Sequence, residues 1–339
     1  MTPQHHDMVP DQAADPFGER SAVLVRKPLH LLGARIVFDS NSRELLQLVD
    51  AAYAGLPRHR LSAKAPDLHV SLRLLSPGKR GEPPPLALLH GAALLGGATR
   101  CSNFVTLSPR ERSALVVVPA RMLRFPYHTR YESIEFAVFT LAARVQRLVP
   151  LHAACVGLGG RGILLFGSSG AGKSTVALHC ILNGFELLSE DSAFVAANTM
   201  LATGVSNFLH VRAESLRWLG QSPLAAAIRR SPVIRRRSGV KKFEVDLRGR
   251  FFRPARSPLK IVAAVFLSAQ SAGARPTVTR MSASTLSTHL TNTQAYCTAL
   301  PQWQPFSRNL ARLGAFELQR GRHPADTVAA LRTLLSQHQ

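Results

Sequence analysis

LHAACVGLGGRGILLFGSSGAGKSTVALHCILNGFELLSED, residues 151–191, is the stretch whose reading decides the fold. Within it, Gly167-Ser168-Ser169-Gly170-Ala171-Gly172-Lys173-Ser174 fits the spacing G-x-x-x-x-G-K-[ST] of a phosphate-binding P-loop. The residues around it are what that loop requires. Gly162 to Phe166 (GILLF) is an apolar run suited to a buried strand, and Ser174 to Leu182 reads as a helix ended by Asn183-Gly184. Glycine at 167, 170 and 172 lets the main chain turn tightly and approach phosphate oxygens. Successive amides and the positive end of the following helix then face the anion. Lys173 would neutralise the β- and γ-phosphates, and Ser174 would ligate Mg²⁺. A chance match in a glycine-rich loop is the competing explanation, and the strand before and helix after weigh against it.

Working outward, Gly184–Ser189 reads as a strand that delivers two adjacent acids, Glu190 and Asp191. A strand followed by an acid is the layout that holds a metal ion beside a P-loop. Neighbouring strand residues point to opposite faces, so both carboxylates reach one site only beyond the strand's end. Upstream, Leu151–Gly157 reads as a strand with His152 at its start, where it would orient a carboxylate; a structural histidine is the alternative. Tyr127 to Leu148 reads as a helix, with Ile134, Val138, Leu141, Val145 and Leu148 on one stripe.

Leu151 to Asp191 resembles the catalytic core of the HPr kinase/phosphorylase family, whose members phosphorylate a serine of a small protein. The resemblance rests on His152, the loop Gly167–Ser174, Gly184 and the pair Glu190-Asp191, in that order and without a gap between loop and acids. It implies an α/β fold, a P-loop kinase core of the HPr kinase and PEP carboxykinase-like type with an N-terminal accessory α/β region. It implies ATP as phosphoryl donor and Mg²⁺ as cofactor. Gly167, Ser168, Ser169, Gly170, Ala171, Gly172, Lys173, Ser174 and Thr175 would hold the nucleotide, and Ser174, Glu190 and Asp191 the metal. Lys173, His152, Glu190 and Asp191 would form the catalytic set. Asp191 is the expected base and Glu190 the reserve. Ser168, Thr175 and Glu190 stand where the family often has Asp, Glu and Asp; Ser168 and Thr175 make the loop less acidic, which weakens the case for phosphorolysis. Overall the chain is most similar to divergent HPr-kinase-like proteins of peptide-modification systems, which implies a peptide or small-protein acceptor. A slowly hydrolysing nucleotide switch and a small-molecule kinase remain the rival readings.

The rest of the chain frames this core. Its 339 residues leave room for a tail at 1–20, an accessory α/β domain at 21–126 and a catalytic domain at 127–339. In the accessory part, strands are expected at Ala22–Val25, Ala34–Phe38, Leu68–Leu75, Leu86–Leu89, Asn103–Leu107 and Ala114–Val118. Ser40 would cap a helix to Ala54, and 78–85 (containing GEPPP) would be a loop. After the acids, 212–220 reads as helix, Lys260–Ser268, Thr277–Met281 and Ala315–Gln319 as strands, and Pro324 opens a closing helix.

A net charge of +22 favours acidic partners, including an acidic peptide. Arg229 to Lys260 holds twelve basic residues and two acids and reads as a basic, loop-rich stretch. Lys241 or Lys242 would clamp the moving phosphate, unless the stretch is simply a solvated loop. Its phenylalanines, Phe243, Phe251 and Phe252, do not alternate with the charges, which argues against nucleic acid. Trp218 and Trp303 read as packing anchors. Cys101, Cys155, Cys180 and Cys297 form no C-x-x-C pair, and His5-His6 sit in the polar tail, so neither a disulfide frame nor a zinc site is expected. No signal peptide and no membrane span are evident, which points to the cytoplasm. Oligomeric state is left open, a homo-oligomer included.

Overall fold

The computed structural model describes residues 24–75, 87–90, 95–98, 103–249 and 252–337. The tail at 1–20, the loop at 78–85, Cys101 and Phe251 lie outside them. The protein is a mixed α/β structure built on three sheets.

The first sheet has seven strands, in the order Val25–Leu31, Ala34–Ser40, Asp67–Leu75, Ser113–Pro119, Phe104–Ser108, Leu95–Ala98 and Ala87–His90. Leu95–Ala98 (LGGA) went unassigned in the sequence, because two glycines erase the strand pattern. Asp67–Leu75 runs parallel to both of its neighbours, so the helix Arg43–Tyr53 is a crossover. Ser42 caps that helix, accepting the Leu45 N–H at 3.3 Å. The expected cap, Ser40, is instead the last residue of a strand, and its hydroxyl accepts the Ser42 N–H.

The helix expected from Tyr127 to Leu148 is composite. A short α segment Pro126–His128 leads into a π-helical segment Thr129–Glu135, and a regular helix Phe136–Val145 follows. Leu148 already belongs to the strand Leu148–Leu151. Val138 and Leu141 pack into a core shared with Phe38, Leu72 and Val116 of the first sheet. The π segment buries Arg130 and Glu135 together, a wider helical turn of the kind that recurs at functional sites.

The second sheet has nine strands. At its centre Arg161–Phe166 runs parallel to Leu259–Ser271, which runs parallel to Ala315–Arg320. The glycine-rich loop follows the first of these strands, and Arg320 ends the third. Alternation explains why GILLF carries no polar residue. Ile163 and Leu165 face a core with Val176, Ile181, Leu331 and Leu335, from the helices Lys173–Leu182 and Pro324–Ser336. Leu164 and Phe166 face the opposite core with Leu290, Phe306 and Leu310, from the helices Ala283–Thr293 and Trp303–Leu313. Both faces are dry, so both parities must be apolar.

The expected strand Leu151–Gly157 is two strands, Leu148–Leu151 and Ala154–Leu158, broken at His152-Ala153. The first pairs with Ala193–Ala196 and the second with Arg161–Phe166 and Glu186–Ser189, so the chain changes neighbours at the break. A third sheet of three strands joins Phe208–Val211, Lys241–Asp246 and Val233–Arg235. The basic stretch is therefore largely ordered structure, beginning in the helix Pro223–Arg229. No described helix is long and apolar enough to cross a membrane. Cys155, Cys180 and Cys297 are free buried thiols.

Candidate functional site

Three parallel strands end on one side of the second sheet, and open α/β sheets bind ligands outside such carboxyl ends. The glycine-rich loop lies there. Gly170 and Gly172 hold φ of 89° and 97°, left-handed values that only glycine adopts without strain. A Cβ at Gly172 would also stand 2.7 Å from Arg320 Nη1, so this arginine lies directly against the loop. Lys173 folds back to donate from Nζ to the Gly167 carbonyl at 2.5 Å. Burial lowers the Lys173 pKa, and the charges of Asp191 and Glu190 oppose that shift.

The strand Glu186–Ser189 stops one residue before the acids, and the two carboxylates diverge. Glu190 is 5% exposed. Its Oε1 accepts the Ser174 hydroxyl at 2.5 Å. Its Oε2 meets His210 Nδ1 at 2.7 Å and accepts the His210 backbone N–H at 3.1 Å. Burial would raise the Glu190 pKa, but the charge of His210 and these hydrogen bonds hold it well below the carboxylate range. The reciprocal effect acts on the imidazole. Burial would depress the His210 pKa, and the Glu190 carboxylate lifts it instead to about 9.

The network continues inward. His210 Nε2 lies 2.9 Å from the Tyr131 hydroxyl and 3.4 Å from Glu244 Oε1. The side chains of His210 and Glu244 meet because these residues pair across the strands Phe208–Val211 and Lys241–Asp246. Glu244 forms an ion pair with Arg130, which lies 3.8 Å from Glu135. Burial pushes the Glu135 pKa up to about 7 against the pull of Arg130.

Asp191 faces the other way. It is 36% exposed at its side chain, with His152 Nδ1 3.3 Å from Oδ1 and Arg236 Nη2 3.5 Å from Oδ2. The His152 backbone N–H donates to Gln294 Oε1 at 2.9 Å and to the Tyr296 hydroxyl at 2.8 Å, which pins the break between the two strands. Burial would lower the Arg236 pKa, and Asp191 more than restores it. Lys242 also lies within the field of this site: burial lowers its pKa while Glu190 raises it. Lys241 beside it is exposed.

His152, Lys173, Ser174, Glu190 and Asp191 thus surround one end of the loop, and Thr175 turns its hydroxyl to Ser215 Oγ at 2.9 Å. From the basic stretch, Arg236 and Lys242 join them. Phe243 and Phe252 pack against the core that holds Val176 and Leu331. Residues the sequence reading missed are His210, Glu244, Arg130, Tyr131 and Arg320. The one local signal was a lone histidine in the apolar run FLHV, residues 208–211.

Among the described residues no three of His, Cys, Asp and Glu converge as a metal cage. A P-loop magnesium site asks for less: a hydroxyl, a carboxylate, waters and the phosphates themselves. The bonded pair Ser174–Glu190 fits that donor set. Two cavities flank the site, one beside His152 and one beside the loop. One, of about 460 Å³, is mainly apolar and runs from His152 and Ser192 past Phe136, Phe139, Pro150 and Leu300. The other, of about 350 Å³, is polar and begins at Gly170, Gly172 and Thr175.

A scan against protein-family models finds no match to this chain, and a search of curated proteins finds none either.

Proposed function

We propose that the chain is an HPr-kinase-like enzyme that transfers the γ-phosphoryl group of ATP to a Ser or Thr hydroxyl of a peptide or small protein. The observation that carries this reading is the division of labour between adjacent acids. Glu190 is buried and bonded to the loop serine, while Asp191 stands at the surface between His152 and Arg236. A buried carboxylate on Ser174 suits metal positioning; an accessible one suits proton removal.

In this mechanism the loop amides and Lys173 hold the triphosphate. Mg²⁺, bound through Ser174 and Glu190, would neutralise charge on the β- and γ-phosphates. The Asp191 carboxylate accepts the proton of the incoming hydroxyl as its oxygen forms the new bond to the γ-phosphorus. The bond from that phosphorus to the bridging oxygen breaks, and ADP carries away the electron pair. His152 and Arg236 orient the Asp191 carboxylate, and Lys173 and Arg236 offset negative charge on the moving group. The apolar cavity beside His152 favours a peptide with a bulky apolar residue over a small polar metabolite. The excess of basic residues favours an acidic one.

The test is Asp191→Asn with labelled ATP and candidate acceptor peptides. Transfer should fall about 10²–10⁴-fold, the usual worth of a positioned base, with nucleotide affinity nearly unchanged. Equal losses in binding and transfer would remove Asp191 from the chemistry. Label appearing only as free phosphate from the unaltered protein would refute the kinase reading in favour of a hydrolytic switch.

A further inference from the structure

The polar cavity beside the loop has no role in the reaction just described. It begins at Gly170, Gly172 and Thr175, where the loop enters its helix, and neither Lys173, Glu190, Asp191 nor His152 lines it. Where the loop enters its helix, Ser174 thus meets the acids while its neighbours Gly172 and Thr175 border this cavity. Its far wall comes from the 3₁₀ segment Ala213–Leu219, which contributes Glu214, Ser215, Arg217 and Trp218. Its floor is the end of the strand Ala315–Arg320 and the turn after it, where Arg320 lies against Gly172 and Arg322 also lines the cavity.

Trp218 is the informative residue. It is partly exposed, and the Arg217 guanidinium lies 4.6 Å from its ring centroid. An indole that served only as a packing anchor would be enclosed, as Trp303 is at 5% exposure. Here the ring instead borders a cavity of about 350 Å³, within the range of roughly 300–1,000 Å³ typical of small-molecule sites. Aromatic faces and arginine planes are the groups on which nucleobases stack. A carboxylate and hydroxyls, Glu214, Ser215 and Thr327, offer partners for sugar and base hydrogen bonds. Arg320, already against Gly172, is placed for the phosphate nearest the sugar.

Resting on the kinase reading for the identity of the loop's ligand, we infer that this cavity is a nucleoside subsite, with Trp218 and Arg217 holding the base. The donor is then a nucleoside triphosphate, and inorganic pyrophosphate or tripolyphosphate is a poor substitute. Phosphate-only donors would fill the loop and leave the indole untouched.

Titration calorimetry with Mg²⁺ tests this on the full chain, comparing ATP with inorganic tripolyphosphate. The unaltered protein should bind ATP at least tenfold more tightly than tripolyphosphate. Trp218→Ala should erase that difference, weakening ATP on the order of tenfold as lost base stacking does, while tripolyphosphate affinity stays within twofold. Trp218→Phe should restore most of the gap. Trp218 and Trp303 are the chain's two tryptophans, so quenching of intrinsic emission by ATP but not by tripolyphosphate reads the same contact without any substitution. Equal affinity for the two ligands, or an equal loss for both in Trp218→Ala, would overturn the inference. Transfer supported by tripolyphosphate as well as by ATP would also overturn it while leaving the kinase reading intact. Trp218-dependent ATP binding without any transfer would do the reverse.

Discussion

His210→Ala is the perturbation that most directly examines how the site is held together. His210 is 2% exposed, and its ring bridges Glu190 at 2.7 Å to Glu244 and Tyr131. Removing it strands a buried carboxylate, and breaking one partner of a buried pair costs about 3–5 kcal/mol. The main-chain N–H at 210 and the Ser174 hydroxyl still reach Glu190 after the change, so the loss should fall near the lower end, about 3 kcal/mol. In a chain of 339 residues that is a fall in Tm of roughly 4 °C. Adding Glu190→Gln removes the stranded charge, and the double variant should regain about 1–2 kcal/mol over His210→Ala alone. The pH dependence has a fixed sign. The raised His210 pKa contributes stability that is fully present below pH 6.5 and is lost as pH rises through about 9. The lowered Glu190 pKa contributes stability present above pH 4.5 and lost in strong acid. Thermal melts of the wild type, His210→Ala, Glu190→Gln and the double variant between pH 5 and 9 make the comparison. A loss under about 1 kcal/mol for His210→Ala, or a double variant no more stable than the single, would show that the charge is solvated and the network is not as described.

Glu135 makes a second prediction. Its pKa is raised from 4.5 to about 7, so wild-type stability declines as pH climbs through that interval. Glu135→Gln should flatten this slope relative to wild type, seen in melts at pH 5 and pH 8; an unchanged slope would mean the carboxyl is ionised throughout. Lys173→Ala should weaken ATP about 10–100-fold, the worth of charge-assisted hydrogen bonds to phosphate, measured by calorimetry. An unchanged affinity would show that the glycine-rich loop is not the phosphate site. Protonated His210 at neutral pH is directly visible by nitrogen NMR of the imidazole, and a titration midpoint near 6.5 would contradict the ion pair with Glu190.

What the sequence disclosed was local. GILLF at 162–166 and the glycines after it gave strand, loop and helix because every requirement there is met by neighbours in the chain. Non-local requirements were invisible. His210 and Glu244 are adjacent only through strand pairing, and Arg130 reaches Glu244 from a π-helical segment 114 residues upstream. The helix Ala283–Thr293 (ASTLSTHLTNT) is rich in serine and threonine, poor helix formers, and only Leu286 and Leu290 fix it to the core. Arg229 to Lys260 read as loop because charge masked a two-residue alternation, in which Val233 and Arg235 are exposed and Ile234 is buried.

The adjacent acids show where sequence logic and geometry meet. Alternation along a strand would send Glu190 and Asp191 to opposite faces, which would exclude one of them from the loop. The strand stops at Ser189, and the Ser189 hydroxyl donates to the Ser192 carbonyl at 2.7 Å and accepts the Ser192 N–H at 3.0 Å, closing a tight turn. That turn carries both carboxylates around one end of the loop while keeping their surroundings distinct. One lies in a dry pocket between a serine and an imidazolium, the other in a half-open cleft between a histidine and an arginine. Exchanging the pair, Glu190→Asp with Asp191→Glu, preserves charge but shortens the buried arm by one methylene. The 2.5 Å bond to Ser174 and the 2.7 Å contact with His210 cannot then both be kept. If the roles follow position, that exchange should damage Mg²⁺-dependent nucleotide binding more than Asp191→Glu alone. If they follow residue type, the two variants should bind alike.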